Sequence, residues 1–376
     1  MIASITQQVM SNGREGEPLW FHPRACLLPG GAVFMTGQGI SGSDYFHPVH
    51  WMVSEDGGRS WSTPEPVPGF GRADRDGGVI EGVCDVVPEY HPLSKTVLAV
   101  GHNVYYREGR LMQPQLQRWP VYNVWDLSSR RWSKKRKLEW DNRGASAIYT
   151  CGCAQRHTLD DGDILIPMRW AGEERADGRV CTVRVSFDGR EVRVLESGSS
   201  IELQVKRGLL EPTITSFRDR YYMTIRAEDD RGYVVASKDG MRWSRLTPWC
   251  WDDGEPLTMS TTQQRWLTHS EGLFLVYTRK DATNVNVMRW RAPLWVARVD
   301  TDQLRLVRDT ERIAVPLRGD GVADPDHVAR LGNFHTVNVS PHESWVTVGE
   351  SLPAQGWKGD TIISRITWER PNRLVD

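Results

Sequence analysis

Ser54-Glu55-Asp56-Gly57-Gly58-Arg59-Ser60-Trp61 packs a serine, an aspartate, two glycines, a second serine and a tryptophan into eight residues. An aspartate there caps a tight turn by accepting backbone N–H groups, glycines take up positive φ without steric cost, and a tryptophan can cover the hairpin it closes. Degenerate copies follow at Ser186-Phe187-Asp188-Gly189 and at Ser237-Lys238-Asp239-Gly240-Met241-Arg242-Trp243. With the turn aspartate as a ruler, Asp56, Asp126, Asp188, Asp239 and Asp300 fall at intervals of 70, 62, 51 and 61 residues. A turn repeated at that spacing belongs to a repeated antiparallel unit.

Working outward, each turn sits inside a larger unit with a polar opening, a run of strand formers, a tight turn and a second strand. The units open at His22-Pro23-Arg24-Ala25-Cys26, Gly82-Val83-Cys84-Asp85, Cys153-Ala154-Gln155-Arg156, Leu210-Glu211-Pro212-Thr213, Thr261-Thr262-Gln263-Gln264 and Asn333-Phe334-His335-Thr336. Hairpin turns such as Pro29-Gly30-Gly31 and Asp161-Gly162-Asp163 are flanked by β-branched and aromatic residues, which predicts antiparallel strands. No window shows sustained helical periodicity. Six such units predict an all-β fold, a six-bladed β-propeller formed by residues 1–376 as one domain. The strand-like Ile2-Ala3-Ser4-Ile5 is placed to pair into the last blade and close the ring. Seventeen tryptophans are a high count, and Trp61, Trp132, Trp243, Trp345 and Trp368 lie near hairpins and strand ends, where their rings would fill the gaps between blades.

The formal net charge is −1, from 47 Lys and Arg against 48 Asp and Glu, which leaves no basic surplus for nucleic acid. The basic run from Arg130 to Lys137 reads as a solvated hairpin. No stretch of 18 apolar residues predicts a membrane span, and no charged segment followed by an apolar run marks a secretory leader, so a cytoplasmic protein is expected, with secretion after leader removal as the alternative. The six cysteines lack metal-ligand spacing and read as buried thiols. No cofactor and no metal is expected.

The Asp-box pattern of residues 54–61 and its partial copies make the chain resemble the sialidase superfamily of six-bladed propellers over nearly its whole length. The resemblance implies an arginine opening the first blade, matched by Arg24, and a glutamate opening the fourth with an arginine 15 residues on, matched by Glu211 and Arg226. It implies a third arginine in the fifth blade, matched by Arg291 with Arg279 as competitor. Arginine forks hold carboxylates in a bidentate grip, so the implied partner is an acidic oligosaccharide or glycoside. The alternative is that each arginine pairs with its own acidic neighbour. Residues opening the innermost strands crowd the central channel, which adds Arg156 and Asp85 to the expected substrate-binding set; His102, on the second strand of the second blade, joins it as a residue that either points into the channel or packs between blades.

Sialidases use a tyrosine nucleophile in the sixth blade, whereas the matching stretch here is Gly332-Asn333-Phe334-His335-Thr336-Val337. The family's acid/base aspartate lies in the loop before the first box, where this chain has Ser43-Asp44-Tyr45-Phe46-His47-Pro48-Val49-His50. The expected catalytic groups are therefore Asp44, His50, Glu211 and His335, working by general acid and base. His22 and His91, each followed by proline, are expected to be structural. The function that follows is an enzyme acting on glycosidic linkages of acidic sugars, as an exo-glycosidase or a uronate-directed lyase. The alternative is a catalytically inactive sugar-binding propeller.

Overall fold

The computed structural model describes residues 1–173 and 177–375. The strands form six antiparallel sheets. In chain order their strands lie within residues 24–66, 73–137, 148–202, 210–248, 265–315 and 330–368. Among the described residues helix is confined to 3-10 turns of three residues each, and no helix is long and apolar enough to cross a membrane. Strand Arg24–Leu27 packs against Val79–His91 on one side and His335–Ser340 on the other; His335–Ser340 packs on Arg265–His269, and that strand on Leu210–Phe217. The innermost strands thus circle an axis, as a propeller requires.

Strand Ile2–Ser11 pairs antiparallel with Thr361–Trp368, from Ile2 opposite Trp368 to Ser11 opposite Thr361. The first residues of the chain therefore complete the last sheet, as expected, and cover an edge that would otherwise be left open.

All five ruler aspartates cap turns. Asp56 accepts from the N–H groups of Arg59 and Ser60 and from both hydroxyls of Ser54 and Ser60, while Gly57 and Gly58 take φ of 70° and 79°. Asp239 accepts from the N–H groups of Met241 and Arg242 in the same way, and Asp126, Asp188 and Asp300 each accept backbone N–H groups two or three residues on. Hydrogen bonds to its charged form hold the Asp126 carboxyl down at about 2, led by the Ser128 hydroxyl.

The tryptophans do bridge neighbouring sheets. Trp61 meets Trp345 edge to face across the closure, Trp132 meets Phe34, Trp368 meets Phe274, and Trp243 donates its indole N–H to the Thr182 hydroxyl. Aromatic side chains carry large apolar area into these seams, and Trp345 is fully buried. Five cysteines are buried and all six are free thiols. Cys151 and Cys153 lie in the turn that follows strand Ile148–Thr150, where Cys153 takes a left-handed φ of 66°.

Candidate functional site

The mouth of the axis opens into a cavity of about 400 Å³ to which every blade contributes. The first brings His22, Asp44 and Phe46; the second Cys84, Asp85, His102 and Arg118; the third Gly152 and Arg169; the fourth Glu211 and Arg226, with Arg207 just ahead of it; the fifth Arg289 and Arg291; and the sixth Asn333. Among the described residues six arginines thus face three carboxylates.

Local backbone geometry explains how these side chains arrive. In a regular strand successive side chains point to opposite faces, so a residue is redirected only where the ladder breaks. The pairing of Val79–His91 with Thr96–Arg107 shifts register between Cys84 and Val87, and Asp85 at that break has φ 58°. The pairing of Leu210–Phe217 with Arg220–Arg226 shifts between Leu210 and Thr213, and Glu211 there has φ 45°. Asp44 and Arg289, also lining the cavity, have φ of 53° and 54°. Left-handed conformations cost non-glycine residues free energy and persist where surrounding structure imposes them.

The expected triad of Arg24, Arg226 and Arg291 is only partly brought together. Arg24 is buried behind the cavity, where one nitrogen donates to Asp85 Oδ1 at 2.8 Å and contacts the Cys153 sulfur at 3.2 Å. It holds Asp85 in place and, unlike Arg226 and Arg291, is not among the residues that line the cavity. Arg226 donates to Glu211 Oε1 at 2.8 Å and lies 3.7 Å from Glu228, so the matched pair does meet at the cavity wall. Arg291 donates to Asn333 Oδ1 at 3.0 Å. Burial first, then repulsion from Arg289 and Arg226, pulls the Arg291 guanidinium down to about 10. Its competitor Arg279 points elsewhere, bound to Glu311 at 2.7 Å and stacked on Trp295.

Among the described residues no carboxylate lies within ion-pair distance of Arg118, Arg289 or Arg291, and the Nε atoms of Arg226 and Arg291 and Oε2 of Glu211 are buried without a partner. Arg156 is excluded from the cavity because its guanidinium is spent on the carbonyls of Val87 and Leu98, with Glu89 at 3.4 Å. Asp85 and His102 line the cavity as expected, and so does Asp44.

Two expected histidines fall outside. His50 lies on strand Phe46–Ser54 with Nδ1 3.1 Å from the Pro48 carbonyl and its ring against Trp20. His335 is buried within the ring of inner strands, and loss of solvation, aided by Arg265, holds it well below the ordinary histidine range. His22, expected to be structural, instead lines the cavity with Nδ1 3.7 Å from Asp85 Oδ1. Its place at the opening of the first unit was the available signal, which the proline after it outweighed. His91 is structural as expected, held between the Ser94 hydroxyl and the Gly162 carbonyl.

Burial pushes His102 down to about 3, with Arg118 adding to the effect, so its imidazole is neutral. Burial alone would raise the Asp85 carboxyl, but the Arg24 guanidinium, the neighbouring His22 and His102 and the Cys153 hydrogen bond together outweigh it and hold the group well below the usual carboxylate range. Phe334 is buried, no tyrosine lines the cavity among the described residues, and the sixth blade supplies Asn333. Arg118, Arg169, Arg207 and Arg289 were not singled out from the sequence. The signal for Arg118 was its place in the long connection after strand Thr96–Arg107, which contributes Leu111, Gln113, Gln115 and Arg118 to the lining.

No family model and no curated protein matches the chain in sequence. Solved structures do match it. A protein of unknown function from Dyadobacter fermentans aligns over 97% of this chain and 100% of its own, at 12% identity and TM-score 0.66. Trypanosoma rangeli sialidase in complex with the inhibitor DANA aligns over 97% of this chain at 13% identity and TM-score 0.66, and this chain covers 60% of it. A Hadza microbial sialidase aligns over 97% of this chain and 69% of its own, at 10% identity and TM-score 0.69. At such identities the likeness is one of fold, and by fold this chain is a sialidase-like β-propeller.

Proposed function

We propose that the chain is a carbohydrate-active enzyme that acts on glycosidic linkages of acidic sugars. One observation carries the reading: Arg118, Arg289 and Arg291 face a single cavity with no carboxylate partner among the described residues. Like charges gathered in a cleft repel one another, and an anionic ligand relieves that cost. Arg226 and Arg291 are the pair assigned to the sugar carboxylate, each having a buried nitrogen with no partner. That T. rangeli sialidase forms a complex with sialic acid supports a sugar as the ligand class.

The chemistry departs from a tyrosine mechanism, because the sixth blade offers Asn333 where a phenol would be needed. Asp44 and Glu211 supply carboxyl groups at the cavity wall, and His22 supplies a neutral imidazole, held well below its ordinary range by burial and by Arg24. Hydrolysis would use Asp44 to protonate the leaving oxygen. Elimination would use His22 to take the proton beside a carboxylate whose charge the arginines neutralise, while the glycosidic C–O bond breaks and Asp44 protonates the leaving oxygen.

The missing phenol also favours a second reading, an inactive propeller that binds acidic sugars. Incubation with uronic-acid oligosaccharides and with sialosides separates the three. A rise in ultraviolet absorbance from unsaturated uronate identifies elimination, and new reducing ends or free sialic acid without absorbance identify hydrolysis. Saturable binding without turnover identifies the inactive propeller, and neither binding nor turnover of any acidic glycan ends the proposal.

A further inference from the structure

The floor of the cavity carries a chemistry of its own. Cys84 and His102 face each other in the register of strands Val79–His91 and Thr96–Arg107, with Sγ 3.3 Å from Nε2. The break in register after Cys84 turns the next side chain onto the same side, so that Asp85 Oδ2 lies 3.9 Å from the same Nε2. One ligand atom from each of the three residues lies within 4.8 Å of the other two, and all three residues line the cavity.

We propose that Cys84, Asp85 and His102 bind a divalent transition metal of the zinc class, with a fourth coordination position open to the cavity. Tetrahedral zinc with ordinary bond lengths places a sulfur and a nitrogen ligand about 3.6 Å apart and an oxygen and a nitrogen ligand about 3.3 Å apart. The separations here are 3.3 Å and 3.9 Å, which small side-chain rotations bring into range. Three protein ligands with one open position is the arrangement of reactive rather than purely structural zinc.

Three further observations support the site. Oδ1 of Asp85 already takes donors from Arg24 at 2.8 Å, Cys153 at 2.7 Å and Asn333 at 3.4 Å, which orients the carboxylate and leaves Oδ2 toward His102. His22 Nδ1, buried and without a hydrogen-bond partner, points at the cluster from 3.7 Å. Gly152 lies against His102, and a Cβ there would stand 2.0 Å from Nδ1, so the backbone fixes the ring that presents Nε2. A dication held by one thiolate and one carboxylate is electrically neutral, which makes it tolerable beside Arg24 and Arg118. The thiolate selects a zinc-class ion over magnesium or calcium. The metal takes the place of the Cys84 thiol proton, so uptake rises with pH.

The site stands apart from the sugar reading, and its test does not use activity. The purified full chain, stripped with chelator, is offered zinc or cobalt(II) and freed of excess. About one ion per chain by mass spectrometry is expected, together with a sulfur-to-cobalt charge-transfer band in the near ultraviolet. C84S and H102Q should lose the band and at least about tenfold in retained metal, whereas C250S should keep both. Zinc should raise the melting temperature of the wild type and of C250S only. A wild-type chain that retains no metal, one whose cobalt adduct lacks the thiolate band, or a folded C84S chain that retains metal at the wild-type level overturns the proposal.

Discussion

Arg226 spends one guanidinium nitrogen on Glu211 and leaves its Nε and Glu211 Oε2 buried without partners, a pair half-satisfied within the chain and completed by a ligand. Replacing it with alanine removes charge-assisted hydrogen bonds, each worth about 1.5–3 kcal/mol, so R226A should lose about 10- to 100-fold or more in kcat/KM on an acidic glycan while melting close to the wild type. Wild-type turnover by R226A would remove it from the site. Arg24 should behave in the opposite way. Its guanidinium is the buried counter-charge of Asp85, and stripping one partner from such a pair costs about 3–5 kcal/mol, so R24A should be read in a denaturation curve before any assay. An R24A chain as stable as the wild type would show that Asp85 does not depend on it. Sequence matching had given these two arginines the same role. Only the packing behind Asp85 separates them, because opening an inner strand fixes a residue's height along the axis and leaves open which way its side chain turns.

Breaks in the strand ladder, rather than strands as such, build the site. Asp85 and Glu211 occupy the same kind of register shift in the second and fourth blades, each with positive φ, and each redirects a carboxylate into the cavity. Glycine takes that φ without strain but removes the side chain; D85G should therefore lose the Arg24 partner and the proposed metal ligand without straining the backbone. The closing element carries a different load. Strand Ile2–Ser11 covers the outer edge formed by Thr361–Trp368, so deleting residues 1–11 should expose an unpaired edge, lower the melting temperature and bring self-association visible by size exclusion. A truncated chain that melts and elutes as the full chain does would refute this. The repeated turns, the sheet alternation and this closure were legible in the sequence because turn chemistry and period-two patterning are local. Bulges are not local in that sense: nothing in Val83-Cys84-Asp85-Val86 distinguishes a bulged strand from a regular one, and the proline after His22 reads as a turn although His22 opens the first unit. The pairing of Cys84 with His102 depends on long-range register, which no spacing motif records.

At the scale of the whole molecule the charge is nearly balanced at −1, yet among the described residues six arginines and three carboxylates meet in one cavity, so the field is concentrated where the blades converge. Attraction of an acidic glycan to that mouth should weaken with salt, and KM should rise between about 0.05 M and 0.5 M salt with kcat little changed, because the Debye length shrinks severalfold over that range. The same convergence sets the response to acid. His22, His102 and His335 are all buried, and loss of solvation, reinforced by Arg24, Arg118 and Arg265 respectively, holds each below the ordinary histidine range, with His102 down to about 3. The unfolded chain binds protons at these residues near pH 6.5, while the folded chain refuses them until the pH is much lower. The unfolded state therefore holds more protons between those limits, and stability rises with pH across the window: it is fully present above about 6.5 and is lost progressively as the pH falls toward 3. For His102 alone the loss between pH 7.5 and pH 5 amounts to about 2 kcal/mol, on a scale where one pKa unit is about 1.4 kcal/mol. In chelator-stripped protein, H102Q should therefore show a difference in unfolding free energy between those two pH values that is smaller than the wild type's by about that amount, whatever the substitution costs at either pH. Equal pH dependence in the two proteins, measured by urea denaturation, would mean that His102 is already solvated in the fold and that the floor of the cavity is more open than its packing against Gly152 implies.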